Sequence, residues 1–179
     1  MLRIALDLEM NDTPDKSIIQ IGACTFIVET GEIVSTFDTY IFQNEQISDY
    51  ITKLTGITQD NVDLGYPIKE AYEMLLSYVN IIGVTKFPLV TWGAGDLPLL
   101  KVQVNNGIDW KLGRTEMNAK NLFQAWREAN GKSTQGGLSR AMTNFGLNFI
   151  GRKHNAKDDA VNTARIYCEL LKQFKVTKE

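Results

Sequence analysis

The sequence predicts an α/β protein in which a mixed sheet is flanked by helices. Three strand-like segments come first, and a tight turn joins the second to the third, so we expect an antiparallel meander at the start of the chain. A short apolar segment then lies between helical patterns and is expected to join this meander as a parallel addition. The longest helical pattern lies near the carboxyl end.

The first three strands are predicted from alternation and from β-branched content. In the first strand, the apolar side chains of Ile4, Leu6 and Leu8 alternate with the acids Asp7 and Glu9. The next segment is rich in β-branched and apolar residues. We predict, in order, a second strand over 17–28, a turn over 29–32 and a third strand over 33–42.

Helical patterns and one further strand make up the rest of the chain. Ser48 and Thr58 are typical helix N-caps, and Gly56 ends the first short helix between them. We predict helices over 68–79, 97–104, 121–129 and 156–174, a helix carrying Leu138, Met142 and Phe145, and a buried strand over 89–92. This order of elements leads us to expect a ribonuclease-H-like architecture.

Length and composition restrict the class of protein. A chain of 179 residues is long enough for one full core, and no repeat or low-complexity linker divides it, so we expect one domain over 1–179. Hydrophobic residues at 44% and charged residues at 22% are typical of globular proteins. The net charge of −2 excludes a generally basic surface, so any contact with nucleic acid must be local.

The cysteines and the amino terminus bear on the cellular compartment. Cys24 lies in a strand pattern and Cys168 in a helical one, which favours two buried free thiols over a disulfide framework or a zinc site. No segment approaches the roughly 20 apolar residues of a membrane span, and acids interrupt the amino-terminal segment where a signal peptide requires apolar residues. We expect a cytoplasmic protein that does not contact membranes.

Two acids on the first strand are the pattern that most needs a chemical explanation. Asp7 and Glu9 project from the same face because side chains alternate along a strand. Burying two carboxylates side by side is costly unless cations neutralise them. Oxygen ligands suit Mg²⁺ or Mn²⁺, and two such ions about 3.5 to 4 Å apart stabilise both the attacking and the leaving oxygen in phosphate hydrolysis.

Two more acids and the only histidine of the chain would complete such a site. Asp96 follows a Gly-Ala-Gly turn after the strand at 89–92, where a helix begins. Asp159 lies in the first turns of the final helix, and His154 lies five residues earlier in a loop. A neutral histidine, whose ordinary pKa is about 6.5, is able to accept a proton from the attacking water at physiological pH.

Each of these residues alone has an ordinary structural interpretation. An acid-x-acid pair in a strand is more often a solvated face, and Asp96 alone is more often a helix cap. Asp159 and its neighbour Asp158 are both suited to the first turn of a helix, whose dipole favours acids. His154 alone is more often a surface residue. The joint pattern, in this order and on these elements, favours a two-metal phosphodiesterase.

The chain resembles the DEDDh 3′→5′ exonucleases over nearly its whole length. Asp-x-Glu on the first strand, a central Asp and a terminal His-x4-Asp carry the resemblance. The segment from His154 to Asp159 is its most specific part, because it distinguishes the histidine branch of the family from the tyrosine branch. The resemblance implies that Asp7, Glu9, Asp96 and Asp159 are metal ligands and that His154 is the general base.

Three segments are similar to subgroups of that family. GGLSRAMTNFGLNFIGRKHNAKDDA resembles the histone-mRNA type of 3′ exonuclease, whereas the segment from Asp7 to Met10 is similar to oligoribonuclease. The segment from Leu54 to Thr58 resembles one that lies against the terminal nucleotide in several members. The histone-mRNA-type similarity spans more residues, so RNA is slightly favoured over DNA and single-stranded 3′ ends are the expected substrate.

The expected substrate-binding residues are Met10, Leu54, Ile57, Trp92 and Lys153. Apolar and aromatic side chains hold single-stranded bases without reading their sequence. Lys153 and its neighbours Arg152 and Lys157 are suited to backbone phosphates, although a solvated basic loop explains them equally well. Trp92 is better explained as a core residue.

These observations predict a Mg²⁺- or Mn²⁺-dependent 3′→5′ exonuclease that uses two ions and releases nucleoside 5′-monophosphates. Two alternatives share the fold, namely a polymerase-associated proofreading subunit and a catalytically silent nucleic-acid-binding module. The complete set of four acids and a histidine argues against the silent module, because binding alone does not require such a set. The sequence indicates neither a protein partner nor an oligomeric state.

Overall fold

A computed structural model, which describes residues 1–82, 88–104, 110–112 and 115–174, contains a five-stranded mixed sheet. Its strands are β1 (Leu2–Met10), β2 (Ile18–Ile27), β3 (Ile33–Tyr40), β4 (Leu89–Thr91) and β5 (Glu116–Asn118). They lie in the order β3-β2-β1-β4-β5. The first three are antiparallel, whereas β4 is parallel to β1 and β5 is parallel to β4. The predicted meander with parallel additions is confirmed.

Seven helices accompany the strands in the described part of the chain. They are α1 (Asp49–Thr55), α2 (Gln59–Asp63), α3 (Ile68–Ile82), α4 (Asp96–Val104), α5 (Ala119–Ala129), α6 (Leu138–Asn144) and α7 (Ala156–Gln173). Ser48 and Thr58 are N-caps, as predicted, and their hydroxyl oxygens accept hydrogen bonds from backbone N–H groups in the first turns. Gly56 ends α1 with a φ of 80°.

Strand β5 is an element that the sequence analysis does not predict. It consists of Glu116, Met117 and Asn118, which show neither an apolar alternation nor strong strand propensity. Pairing with β4 places Glu116 opposite Leu89 and Asn118 opposite Thr91. The strand therefore forms because β4 offers a free edge for pairing. The three residues of β5 carry no sequence pattern that indicates this pairing.

The sheet separates two apolar layers, and the alternation of β1 divides its side chains between them. Ile4, Leu6 and Leu8 belong to the layer that includes residues of α3 and α4. Ala5 belongs to the opposite layer, with residues of α7. Asp7 and Glu9 share the face of Ala5, so both acids point to the side of the sheet that α7 covers.

The first turn of α7 lies unusually close to β2. Gly22 is opposite Asp7 in the β1–β2 register, and a Cβ atom at Gly22 would collide with the backbone of Ala156. The fully buried Gln20 accepts a hydrogen bond from the Ala156 N–H through Oε1 at 3.0 Å and donates one to Asp38 through Nε2 at 2.7 Å. These contacts bring the start of α7 beside the acids of β1.

Cys24 and Cys168 are both buried and free, as predicted. Burial raises the pKa of Cys24 to about 12 and that of Cys168 to about 11, so both thiols stay protonated at neutral pH. Within the described residues, no helix combines the length and the apolar character that crossing a membrane requires.

Candidate active site

A single cleft of about 630 Å³ brings together all five residues of the predicted catalytic set. They are Asp7, Glu9, Asp96, His154 and Asp159. Three of the five predicted substrate-binding residues, Met10, Trp92 and Lys153, line the same cleft. The volume is within the range of about 300 to 1,000 Å³ that is typical of small-molecule sites, so the cleft has room for a nucleotide.

The parallel pairing of β1 and β4 brings the first three acids together. Ala5 lies opposite Val90, so the residues that follow β4 lie at the same sheet edge as Asp7. The turn between β4 and Asp96 contains Gly93 and Gly95, whose φ angles of 116° and 124° are disfavoured for residues with a Cβ. Asp96 is the first residue of α4.

Asp159 and His154 come from α7 and from the loop before it. Asn155 is the N-cap of α7, and its side chain accepts a hydrogen bond from the backbone N–H of Asp158. The backbone N–H of His154 donates to Asp159 Oδ2 at 3.3 Å. One potential ligand atom from each of Glu9, His154 and Asp159 lies within 4.8 Å of the others. His154 is exposed, whereas Glu9 is only 8% exposed.

Burial and neighbouring acids raise the proton affinity of all four carboxylates. Burial raises the pKa of Asp7 well above its usual range, and Asp96, Asp159 and Glu9 raise it further. Burial, with Asp159 and Asp96, raises the pKa of Glu9 to about 8. Burial raises the pKa of Asp159 to about 6, although the nearby His154 counteracts this shift. Burial and the neighbouring Glu116 raise the pKa of Asp96 to about 7.

This cluster fits a divalent metal site. Four converging carboxylates in a partly buried cleft repel one another in their charged form. A bound cation neutralises this repulsion. Their oxygen atoms are the ligand type that Mg²⁺ and Mn²⁺ prefer. Asp7, Glu9, Asp96 and Asp159 are the residues that would hold such ions.

The α6 segment forms a wall of the cleft that the sequence analysis did not identify. This wall consists of Gly136, Gly137, Leu138, Ser139 and Arg140. Arg140 is exposed, and its aliphatic stem lies over Gly136, where an added Cβ would be 2.7 Å from Arg140 Cδ. Within the described residues, the structure gives the Arg140 guanidinium no hydrogen-bond or ion-pair partner. The one sequence feature that points to this wall is the pair Gly136-Gly137, which is typical of a turn before a helix.

Leu54 and Ile57 are not among the described residues that line this cleft. Ile57 is 1% exposed and belongs to an apolar cluster with Ile19, Ile51 and Val62. Leu54 is half-buried on α1. The structure therefore gives no support to a direct contact between the Ile57 side chain and substrate. Trp92 is half-buried, lines the cleft and also packs against Phe123, with ring centroids 5.9 Å apart, so its core and cleft interpretations both hold.

The neighbours of Lys153 have other partners. Lys157 Nζ lies 3.7 Å from Asp38 and 3.9 Å from Asp158. Arg152 donates from its guanidinium to the carbonyl oxygen of Lys53 at 3.4 Å. Lys153 lines the cleft, and its ammonium group lies 6.0 Å from the centre of the Phe149 ring, which also lines the cleft.

We expect the metal-free protein to lose thermal stability as the pH rises from about 5 to about 8. The raised pKa values of Asp159, Asp96 and Glu9 keep protons on the folded protein that the unfolded chain releases near pH 4. Folding therefore binds protons in this window, and the free energy of unfolding falls as the folded acids lose them. We expect a decrease of about 2 kcal/mol or more, or ~5 °C in Tm, measured by calorimetry.

Excess Mn²⁺ at pH 8 should restore the lost stability, because a ligand that binds only the folded state stabilises it. Asp7→Asn is the control, since it removes one of the interacting carboxylates and should flatten the pH dependence. A Tm that is independent of pH over this window and unaffected by Mn²⁺ would contradict the metal interpretation of the cluster.

A mixed sheet with four carboxylates and a histidine at one edge is the arrangement of a ribonuclease-H-like nuclease. The exonuclease family model RNase_T matches residues 4–167, so the chain belongs to the exonuclease family. The chain is 28% identical over 182 residues to ERI1 exoribonuclease 2 of Xenopus laevis. The match covers 87% of this chain but only 26% of that relative, so the chain spans about a quarter of the length of the relative.

Solved structures show the same fold. The nuclease domain of 3′hExo, a DEDDh family member, bound to rAMP, has a TM-score of 0.81 and is 24% identical, with 97% of this chain and 92% of that one covered. The Mg²⁺- and Mn²⁺-bound form of S. pombe Pop2p has a TM-score of 0.71 and is 17% identical, with 96% and 83% covered. The ribonuclease-H-like prediction is thereby confirmed, and a protein of similar fold has been observed with these two metals.

Proposed function

We propose that this chain is a Mg²⁺- or Mn²⁺-dependent 3′→5′ exonuclease that releases nucleoside 5′-monophosphates from single-stranded nucleic acid. The observation that carries the proposal is the convergence of Asp7, Glu9, Asp96, Asp159 and His154 in one cleft. Membership of the exonuclease family supports it. RNA is slightly favoured over DNA, which agrees with the name of the Xenopus laevis relative and with the rAMP bound to the 3′hExo domain.

The residues of the cleft have separate roles in this proposal. Two bound ions would supply Lewis-acid stabilisation of the attacking and leaving oxygens. His154, exposed at the mouth of the cleft, accepts the proton of the attacking water. Met10 and Trp92 provide apolar contact for the terminal base. Lys153 and Arg140, both exposed on the cleft wall, provide positive charge for the backbone phosphates.

Digestion of matched RNA and DNA oligonucleotides, labelled at the 5′ or the 3′ end, tests the proposed reaction. Single-stranded and duplex substrates of several lengths should be compared with and without EDTA. We expect a ladder shortening from the 3′ end, nucleoside 5′-monophosphate as the product and complete inhibition by EDTA. Endonucleolytic products, or cleavage that continues in EDTA, would contradict the proposal.

Arg140→Gln should weaken substrate binding without impairing the chemical step. The guanidinium is exposed in the cleft and has no partner among the described residues. Its loss therefore removes the proposed phosphate contact and no hydrogen bond or ion pair within the described part of the protein. We expect KM to rise about 3- to 10-fold with kcat within about twofold, in line with the net contribution of about 0.5 to 1.5 kcal/mol from one solvent-exposed hydrogen bond. The slope of log KM against log salt concentration should fall by ~0.7, the value for one single-strand phosphate contact.

Lys101→Gln is the matched control, because Lys101 is an exposed cation on α4 that is not among the described residues lining the cleft. It should leave KM and the salt slope unchanged. Equal effects of the two substitutions would show that only the overall charge matters. A fall in kcat at unchanged KM would assign Arg140 to the reaction rather than to the strand.

Two broader features belong to the same proposal. We infer that the exonuclease domain extends over residues 1–179 as one unit. We also infer a cytoplasmic location, for which the two reduced and buried cysteines are the support. Fractionation of cells that express the tagged chain would test the location.

A further inference from the structure

The loop that carries His154 is hydrogen-bonded along its length to α7. The amide of Asn162, which is fully buried, donates from Nδ2 to the Ile150 carbonyl at 2.8 Å and accepts through Oδ1 from the Ile150 N–H at 3.1 Å. Arg165 Nη1 donates to the Asn148 carbonyl at 2.7 Å and to Asn162 Oδ1 at 2.9 Å. The beginning of the loop is therefore anchored on the second and third turns of α7.

Asp158 anchors the part of the loop nearest to the histidine. Its Oδ2 accepts the backbone N–H of Arg152 at 2.7 Å, a short distance typical of a carboxylate acceptor. A Cβ at Gly151, whose φ is 78°, would collide with the Asp158 carboxylate. The Asp158 side chain is 19% exposed and is not among the described residues that line the cleft. Its carboxylate therefore binds the loop backbone outside the lining of the cleft.

The anchored loop holds His154 in a backbone conformation that it would not adopt readily by itself. His154 has a φ of 59°, in the left-handed region that is disfavoured for residues with a Cβ. Such a conformation persists only where the surroundings fix it. The bond from the His154 N–H to Asp159 is long at 3.3 Å, whereas the bond from Arg152 to Asp158, two residues earlier, is short.

We propose that Asp158 is a positioning residue for His154, acting through the hydrogen bond that its carboxylate accepts from the backbone of Arg152. The inference rests on the proposed role of His154 as the general base. A base has to lie within hydrogen-bond reach of the proton that it accepts, and small displacements of reacting groups are costly. Asp158 therefore affects the chemical step without contacting substrate or metal.

Kinetics of Asp158→Ala and Asp158→Asn test the proposal. The alanine variant removes the acceptor, so we expect kcat to fall about 10- to 100-fold with KM and Mn²⁺ affinity within about threefold of the wild type. The asparagine variant keeps an oxygen acceptor and loses the charge that faces Lys157 and raises the pKa of Asp159, so kcat should return to within about threefold of the wild type. Glu128→Ala, which removes an exposed acid on α5 that is not among the described residues lining the cleft, is the control and should be silent.

A double-mutant cycle separates positioning from a general structural effect. If Asp158 acts through His154, then Asp158→Ala should cost nothing further in the His154→Ala protein. An equal loss of kcat in both backgrounds would overturn the proposal. A wild-type kcat in Asp158→Ala would overturn it as well.

The single histidine provides a readout that does not depend on activity. In a tag-free protein, one set of imidazole NMR signals reports on His154 alone. We expect these signals to shift or broaden in Asp158→Ala, and to match the wild type in Asp158→Asn and Glu128→Ala. If the wild type hydrolyses no nucleic acid, the proposed function fails, while the NMR comparison still decides whether Asp158 positions His154. Unchanged signals in the folded Asp158→Ala protein would refute the positioning role.

Discussion

Asp7→Asn is expected to abolish hydrolysis and, at the same time, to stabilise the metal-free protein. Asp7 lies between the other acids, which together with burial raise its pKa well above the usual range. Loss of a metal ligand at this position removes several kcal/mol of transition-state stabilisation, so we expect kcat to fall at least ~10³-fold. The neutral amide also relieves repulsion in the cluster, so Tm without metal at pH 8 should rise by ~5 °C.

Opposite changes in activity and stability are what distinguish a functional acid from a structural one. Neutralising an acid that has a structural role lowers the stability of the protein, because the hydrogen-bond or ion-pair partners of that acid are left unpaired. Asp63→Asn is a suitable control, since Asp63 is an exposed acid on α2 that is not among the described residues lining the cleft. Retention of more than about a tenth of the wild-type kcat in Asp7→Asn would contradict the assignment of Asp7 as a metal ligand.

His154→Ala should reduce kcat by about 10²- to 10⁴-fold, the usual contribution of a general base. Because four carboxylates supply the proposed metal ligands, Mn²⁺ affinity measured by calorimetry should stay within about threefold of the wild type. KM should change little, since the proposed contacts to the base and the phosphates come from Met10, Trp92, Lys153 and Arg140 and not from the imidazole.

The same variant decides between two roles that the geometry allows. One potential ligand atom of His154 lies within 4.8 Å of those of Glu9 and Asp159, so a metal-ligand role is also within reach. A large loss of Mn²⁺ affinity in His154→Ala would assign the histidine to the metal. A turnover near that of the wild type would remove it from the mechanism.

The fold was predictable where local patterns and tertiary structure agree. The alternation in β1 and the apolar stripe of α7 are long enough to predict both the element and the face that it buries. The order of the elements then brings Asp7 and Asp159 into one cleft. Strand β5 contains no such pattern, and Glu116, which raises the pKa of Asp96, was missed together with its strand.

Side chains on short helices and on the segments between them were the least predictable part of the candidate site. A sequence pattern shows that the segment from Leu54 to Thr58 resembles a substrate-contacting one, but not which way each side chain points. In the structure Ile57 packs into an apolar cluster. Arg140 lines the cleft because the packing of α6 forms one wall of it. The glycine pair before α6 indicates where the helix begins, but not which surface the helix lies against.

The glycine opposite Asp7 gives the active site its dimensions. Because Gly22 has no side chain, the backbone at the start of α7 lies directly against β2, next to the strand that carries Asp7 and Glu9. The separation between the backbone of the β1–β2 pair and that of the first turn of α7 is therefore set by contact between main chains. A side chain at position 22 would push the start of α7 away from β2, and so away from the strand that carries Asp7 and Glu9.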